Sequence, residues 1–172
     1  KFTNLRDRHE LYCAGHLLES AIEHSKATGE NYFLNSIEKY IAHIINTFGR
    51  EVGKKRGYPG HQEIELALVK AYEYTNKKKY LDLATYFIEE RGKTDSNNKH
   101  YFINENEILK KNSQKLDYSK LPSNLRDFVD FYLAKDESVF KDLEYWQAHK
   151  EPIEQNTAEG HSVRALYMFT AM

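Results

Sequence analysis

The fold is decided by residues 31–49, which read NYFLNSIEKYIAHIINTFG. Apolar residues recur there at intervals of three and four rather than two, which is the period of one face of an α-helix. The residues of this face are Phe33, Leu34, Ile37, Tyr40, Ile41, Ile44 and Ile45. Gly49 supplies a stop signal after the face ends. The stretch therefore predicts an amphipathic helix and, since its period returns elsewhere, an all-α protein.

The same period predicts four more helices, at residues 9–27, 64–72, 80–88 and 159–172. Two consecutive helix pairs look like copies of one hairpin. Thr28, Phe33, Leu34, Asn35, Tyr40 and Ile41 match, at one constant offset, Thr75, Tyr80, Leu81, Asp82, Phe87 and Ile88. Helix pairs that recur every 40 to 50 residues or so belong to repeat architectures. The residues alone leave open whether these hairpins form an α-solenoid or a closed ring.

The helical pattern weakens between residues 93 and 144. We interpret residues 94–100 as a loop, and residues 124–133 and 138–147 as one or two short helices. Long insertions in a repeat protein usually lie on one rim of the scaffold. We therefore expect residues 1–172 to form a single all-α domain in which 93–144 is a polar insertion or rim segment.

Composition excludes several classes of function. The 172 residues carry 25 basic and 26 acidic side chains, a net charge of −1, which is unlike a basic nucleic-acid platform. No apolar run approaches the roughly 18 residues of a membrane span. The single cysteine, Cys13, forms neither an internal disulfide nor a thiolate zinc cluster, and we expect it to be a small buried residue. These features predict a soluble, cytoplasmic protein with no metal site and no nucleic-acid or membrane partner.

The dipeptide Gly-His occurs three times, as Gly15-His16, Gly60-His61 and Gly160-His161. The second and third lie just before or at the start of a helix, and the first lies one to two turns into its helix. These alternate helices run parallel inside a ring of hairpins, so their N-terminal ends collect on one side. Glycine lets a ligand or a neighbouring backbone approach closely, and imidazole hydrogen-bonds to sugar hydroxyls near neutral pH. The pattern indicates a shared pocket. Alternatively, each histidine bonds a carbonyl group at its own helix start.

Other polar and aromatic residues extend this candidate site. His9, Tyr12 and His16 lie on roughly one side of the first helix, although His9 and His16 are spaced wider than a zinc-binding pair. Trp146 offers an aromatic platform for a sugar, or else an anchor in the core.

A histidine–carboxylate pair is predicted at the start of the third helix. His61 and Glu65 are four residues apart, so the carboxylate would hold one ring nitrogen of the imidazole, while Glu63 would point elsewhere. The alternative is that both glutamates cap the N-terminus of that helix.

Five strings resemble, in order and register, the N-terminal half of the catalytic domain of glycoside hydrolase family 127, the β-L-arabinofuranosidase-like proteins. They are HELYCAGHLLESAIEH from His9, GYPGHQEIELALVKAY from Gly57, KKYLDLATYFIEERG from Lys78, YWQAHKEPIEQ from Tyr145 and EGHSVRALYMFTAM from Glu159. This resemblance implies an (α/α)6 barrel, here an incomplete toroid, and so favours the ring over the solenoid. It also implies that His61, His161 and either His9 or His16 contact an arabinofuranose ring.

Members of the family cleave with retention, using a cysteine nucleophile held in a zinc-cysteine cluster and a glutamate acid/base. The resemblance places those groups outside this chain, so we expect no catalytic residue and no cofactor here, and no hydrolysis by the chain alone. We expect uncovered helix faces to promote self-association. The alternatives are a non-catalytic helical-repeat interaction module and another toroid enzyme, such as an uronyl hydrolase or epimerase.

Overall fold

The computed structural model describes residues 1–113, 117–123, 125–126 and 142–172. These residues form helices and no β-strand, which confirms the predicted all-α class. The helices are α1 (Glu10–Thr28), α2 (Tyr32–Thr47), α3 (Glu63–Thr75), α4 (Lys78–Glu90), α5 (Tyr101–Ser113) and α6 (Ser162–Ala171). Short 3₁₀ turns lie at Tyr118–Lys120 and Pro152–Glu154.

Five of the six helices pack as two hairpins and one further helix, α6. Helix α1 packs on α2, α3 packs on α4, and α3 lies between α1 and α6. The row α1–α3–α6 therefore carries α2 and α4 on its outside, as expected for repeated hairpins. The apolar faces read from the sequence meet between these layers, where Leu18, Ile22, Ile41, Ile44, Ile64, Leu68 and Phe87 are almost fully buried. Burial of side chains of this size stabilises the fold by about 1.5–3 kcal/mol each.

Helix α1 ends at Thr28, one residue beyond its predicted end. Gly29 adopts a left-handed conformation with φ of +76°, and its N–H donates to the carbonyl of Ser25. This geometry closes the last turn of the helix, because glycine carries no Cβ to oppose a positive φ.

Helix α5 was not predicted. Its apolar residues are sparse, and much of its contribution is polar. Glu105 is buried and accepts the backbone N–H groups of Leu5 at 2.8 Å and Arg6 at 3.1 Å, so α5 anchors the N-terminal segment. The ring of Phe102 packs on the rings of Tyr58 and Trp146. The placement of 93–144 as a rim segment stays a prediction.

The remaining expectations for this region have mixed outcomes. Residues 94–100 form a loop, as predicted, which the carboxylate of Asp95 closes by accepting the N–H groups of Asn97 and Lys99. Residues 143–147 form turns, so the helix predicted at 138–147 is wrong in its described part. The helix predicted at 124–133 lies outside the described residues except at positions 125 and 126.

The exposure of surface residues tests two further expectations. Cys13 is exposed on α1, so the prediction that it is buried is wrong: it lies outside the face formed by the buried Leu11, Ala14 and Leu18. Apolar side chains of α6 are also exposed, at Val163, Leu166, Phe169 and, just beyond the helix, Met172. Self-association through them stays a prediction. Within the described ranges, none of the helices combines the length and apolar character that crossing a membrane requires.

Candidate functional site

The glycines of two Gly-His dipeptides are required by neighbouring backbone. A Cβ added to Gly60 would lie 2.0 Å from the carbonyl oxygen of Arg6. A Cβ added to Gly160 would lie 2.2 Å from the carbonyl oxygen of Glu144, and Gly160 has a φ of +72°. Both distances are far below van der Waals contact, so no larger residue fits without moving the chain. The sequence indicates two reasons for glycine, the close approach of a ligand and the close approach of a neighbouring backbone. The structure shows the second at Gly60 and Gly160.

The histidines of all three dipeptides meet in a cluster of aromatic rings. This ring cluster consists of His9, Tyr12, His16, His61, His161 and Tyr167. Tyr12 lies at its centre, with ring centroids 4.4 Å from His16 and 4.6 Å from His61. The centroid of His61 lies 6.4 Å from that of His161 and 5.5 Å from that of Tyr167. His9 is exposed and the other rings are half-buried, so the cluster forms an open, polar and aromatic surface.

His61 is held in its neutral form. Burial, the nearby Arg164 guanidinium and the imidazoles of His9, His161 and His16 together lower the pKa of His61 to about 4. A neutral imidazole has one nitrogen that donates and one that accepts. At neutral pH, His61 therefore adds both hydrogen-bonding functions to the ring cluster without adding charge.

Arg164 is a member of the site that the sequence analysis missed. Its guanidinium carbon lies 4.0 Å from the ring centroid of Trp146 and 5.0 Å from that of Tyr145. Burial lowers the pKa of Arg164. Its position relative to His161 could have identified it in the sequence. Arg164 and Tyr167 follow His161 at intervals of three residues, which places them on one side of α6.

Two glutamines join the loops that carry His61 and His161. The side-chain amide of Gln62 donates to the side-chain oxygen of Gln147 at 2.9 Å. The amide nitrogen of Gln147 in turn donates to the carbonyl of Glu159 at 2.8 Å. Both glutamine side chains are fully buried, so this chain of hydrogen bonds fixes the spacing of the segments before α3 and α6.

Arg91 joins the segment before α3 to the turn at residues 143–147. Its fully buried guanidinium donates to the carbonyls of Trp146 at 3.0 Å and Pro59 at 2.6 Å, and it lies over the ring of Tyr58. Glu65, also fully buried, places Oε1 3.6 Å from Nη2 of Arg91. Burial raises the pKa of Glu65 to about 7, and Arg91 opposes that rise.

The predicted His61–Glu65 pair is wrong. His61 precedes α3, which begins at Glu63, so the helical four-residue spacing does not apply, and Glu65 turns toward Arg91. Glu65 has no exposed surface through which to contact a ligand. Trp146 is likewise interior, 6 % exposed, and packs in the core as the alternative interpretation expected.

Glu63, which was expected to point elsewhere, is the carboxyl group that reaches the ring cluster. Its Oε1 lies 3.1 Å from Nδ1 of His16, which also lies 3.6 Å from Oε2 of Glu19. The side chain of Glu63 is fully buried, and a Cβ added to Gly15 would lie 2.1 Å from its Oε2. The glycine of the first Gly-His dipeptide, Gly15, thus makes room for this carboxyl group and for the backbone of Ile64, whose Cα would lie 2.9 Å from the added Cβ.

Helix hairpins that gather the ends of their inner helices around one polar surface define the class of α/α toroid-type domains. The sequence model of the β-L-arabinofuranosidase GH127 catalytic domain matches residues 1–172, and the chain belongs to glycoside hydrolase family 127. This match confirms the family inferred from the five strings.

Known relatives agree with this assignment. The chain is 31% identical over 172 residues to the non-reducing end β-L-arabinofuranosidase of Bifidobacterium longum subsp. longum, covering 100% of this chain and 22% of the relative. A GH127 β-L-arabinofuranosidase from Geobacillus stearothermophilus T6 matches with a TM-score of 0.77 and 42% identity, over 99% of this chain and 23% of that one. A further GH127 β-arabinofuranosidase structure gives a TM-score of 0.69 and 32% identity, over 99% and 20%. The chain therefore spans between a fifth and a quarter of these relatives.

The zinc-cysteine cluster that the family implies does not fit these residues. Such a cluster needs several thiolates, and the chain contains one cysteine. That residue, Cys13, is exposed on α1. The residues of this chain therefore do not supply that cluster.

Proposed function

We propose that the ring cluster binds a β-L-arabinofuranoside-type sugar. The observation that carries the proposal is the meeting of His16, His61 and His161, from three separate elements, in one cluster: His16 and His61 pack on Tyr12, and His161 packs on His61. Imidazole and phenol groups hydrogen-bond to hydroxyls, and their ring faces pack on the C–H surface of a sugar. The relatives in the family are described as β-L-arabinofuranosidases, which supports this sugar class.

Within this proposal, the chain supplies a sugar-binding wall rather than the reacting groups. Retaining hydrolysis requires a nucleophile and an acid/base on opposite sides of the anomeric carbon, and we assign neither to these 172 residues. The chain alone is expected to bind the sugar without cleaving it. Retaining cleavage by a longer protein, its part in carbohydrate metabolism and a cytoplasmic location belong to the same proposal.

Titration with methyl β-L-arabinofuranoside tests the proposal. Binding is followed by NMR shifts of the histidine ring protons in the wild-type chain and in His61→Ala and His161→Ala. We expect both substitutions to abolish measurable binding while the circular dichroism spectrum keeps its helical form. The matched control is His24→Ala, because the ring of His24 contacts Tyr32 and Phe33 instead of the ring cluster. Undiminished binding by folded His61→Ala would reject the proposal.

A helical-repeat interaction module is the second candidate, favoured by the exposed apolar side chains of α6. In such a module the histidines are structural. His61→Ala and His161→Ala would then lower the melting temperature, and the wild-type chain would show no sugar-dependent shifts at all.

A further inference from the structure

We infer that Glu63 is a positioning residue: its buried Oε1 lies 3.1 Å from Nδ1 of His16 and has no aligned hydrogen-bond donor among the described residues. A small rotation of the imidazole lets Nδ1–H donate to Oε1 and leaves Nε2 of that ring to accept a hydrogen bond from a ligand hydroxyl. The inference rests on the proposed function and deepens it, since it assigns a hydrogen-bonding direction to one histidine of the ring cluster. A sugar hydroxyl would be the donor to His16.

The geometry supports this role through a contrast in burial. The side chain of Glu63 has 0% exposure and that of His16 has 42%, while Oε1 and Nδ1 are 3.1 Å apart. Nδ1 of His16 thus faces the interior and the opposite side of the ring faces outward. Gly15 allows this arrangement, since any side chain there would meet the carboxyl group of Glu63. The first Gly-His dipeptide and Glu63 therefore form one packed unit.

The protonation of Glu63 fixes the direction of the hydrogen bond. Burial and the neighbouring carboxyl group of Glu19 together raise the pKa of Glu63 to about 9. Burial also acts to raise the pKa of Glu19, but hydrogen bonds with Glu63 and Lys70 outweigh it and lower that pKa. At neutral pH the proton therefore stays on Glu63, which donates its O–H toward Glu19. The other oxygen of Glu63 can only accept, so the imidazole of His16 must present an N–H to it.

The alternative to a proton shared by these side chains is a metal ion bound by His16, Glu19 and Glu63. The donor atoms of His16, Glu19 and Glu63 lie within 4.8 Å of one another, which is close enough to ligate one metal ion. A divalent ion would require the buried carboxyl group of Glu63 to lose its proton. It would also compete with Lys70, whose ammonium group already contacts Glu19. The observations therefore favour a shared proton over a metal.

The tautomer of His16 is the decisive readout, because a merely structural glutamate would not control it. Long-range ¹H–¹⁵N spectra are recorded at pH 8 without sugar, and the His16 signals are assigned by their loss in His16→Gln. We expect the Nδ1–H tautomer in the wild-type chain and in Glu63→Gln, because a glutamine amide also accepts from His16 and donates to Glu19. We expect Glu63→Leu to shift the ring toward the Nε2–H tautomer.

Glu65→Gln is the matched control, because Glu65 is also buried on α3 but faces Arg91. It should leave the His16 tautomer unchanged. Affinity for methyl β-L-arabinofuranoside should be near wild type in Glu63→Gln and about three- to tenfold weaker in Glu63→Leu, which corresponds to the loss of one hydrogen bond.

Several results would overturn the inference. They are an Nε2–H tautomer in the wild-type chain, an unchanged tautomer in folded Glu63→Leu, or Glu63→Gln behaving like Glu63→Leu. Zn²⁺ that shifts the His16 signals at stoichiometric concentration would replace the shared proton with a metal site. The wild-type spectrum decides the matter even if Glu63→Leu fails to fold. If the tautomers respond as expected but no variant binds sugar, the proposed function fails and the assignment of Glu63 stands.

Discussion

Replacement of Arg91 by methionine tests the structural basis of the site. Arg91 is fully buried and holds the carbonyl of Pro59, next to Gly60-His61, and that of Trp146, next to Gln147, which bonds to the carbonyl of Glu159 just before Gly160-His161. Methionine keeps the volume of the aliphatic stem but removes every donor. The substitution therefore leaves two buried carbonyls without their partner and Glu65 without its countercharge.

The expected cost follows from these losses. Removing one member of a buried ion pair costs about 3–5 kcal/mol, and hydrogen bonds from a charged donor contribute about 1.5–3 kcal/mol each. Glu65 moderates the cost, because its pKa is already about 7 and rises further once Arg91 is gone, so the carboxyl group takes up a proton. We therefore expect Arg91→Met to lower the free energy of unfolding by about 3–5 kcal/mol, a large part of the roughly 5–15 kcal/mol of a typical domain.

Urea unfolding at pH 7, followed by circular dichroism, measures this cost. Fluorescence of the single tryptophan, whose carbonyl Arg91 holds, reports on the same region. Lys78→Met is the control, because the Lys78–Asp82 pair is exposed and should contribute nothing measurable. In the double variant Arg91→Met/Glu65→Gln, the total loss should be smaller than the sum of the single losses by about 1–2 kcal/mol. A cost no larger than that of the control, or strict additivity, would refute the reasoning.

Three further predictions concern the glycines, the buried proton and the surface. Gly29→Ala should cost about 1 kcal/mol, because only its positive φ is strained and no atom lies within 4 Å of the new Cβ, whereas Gly160→Ala, which also meets backbone, should cost several times more in urea unfolding. The melting temperature should fall as pH rises from about 7 to about 9, because folded Glu63 keeps a proton that an unfolded glutamate has released, and Glu63→Gln should flatten this dependence. The charged and titratable groups facing Glu63 are His16, Glu19, Glu65, Lys70 and Tyr167. Light scattering should show species larger than 20.3 kDa, and Leu166→Lys should reduce their size.

The hairpins were predictable because their information is local. Each of the first four helices buries one face, and the three-and-four period of apolar residues records that face directly in the sequence. Helix α5 lacked this signal. Part of what anchors this helix is polar: Glu105 accepts backbone N–H groups of the N-terminal segment, about a hundred positions away. The spacing of residues within the helix does not predict such a contact.

The candidate site was predictable in part for the same reason. The repeated Gly-His dipeptides marked three segments, but the carboxyl group that meets His16 was misassigned. Glu63 and Glu65 are two residues apart on α3 and therefore project in nearly opposite directions. Which of them faces α1 and which faces Arg91 depends on how α3 is rotated in the fold. The bend at His61 and the turn at Gln62 before α3 also broke the helical spacing that had linked His61 to Glu65.

The two halves of the Gly-His dipeptide have separate physical causes. The glycine is demanded by a neighbour: the carbonyl of Arg6 for Gly60, that of Glu144 for Gly160, and the carboxyl group of Glu63 for Gly15. The histidine is not demanded by that packing, because each imidazole turns to a partly exposed ring cluster. Substituting the glycines therefore disturbs the fold whether or not the chain binds sugar, and such variants cannot separate the two candidate functions. Only substitutions of the histidines, made on an intact fold, can do so.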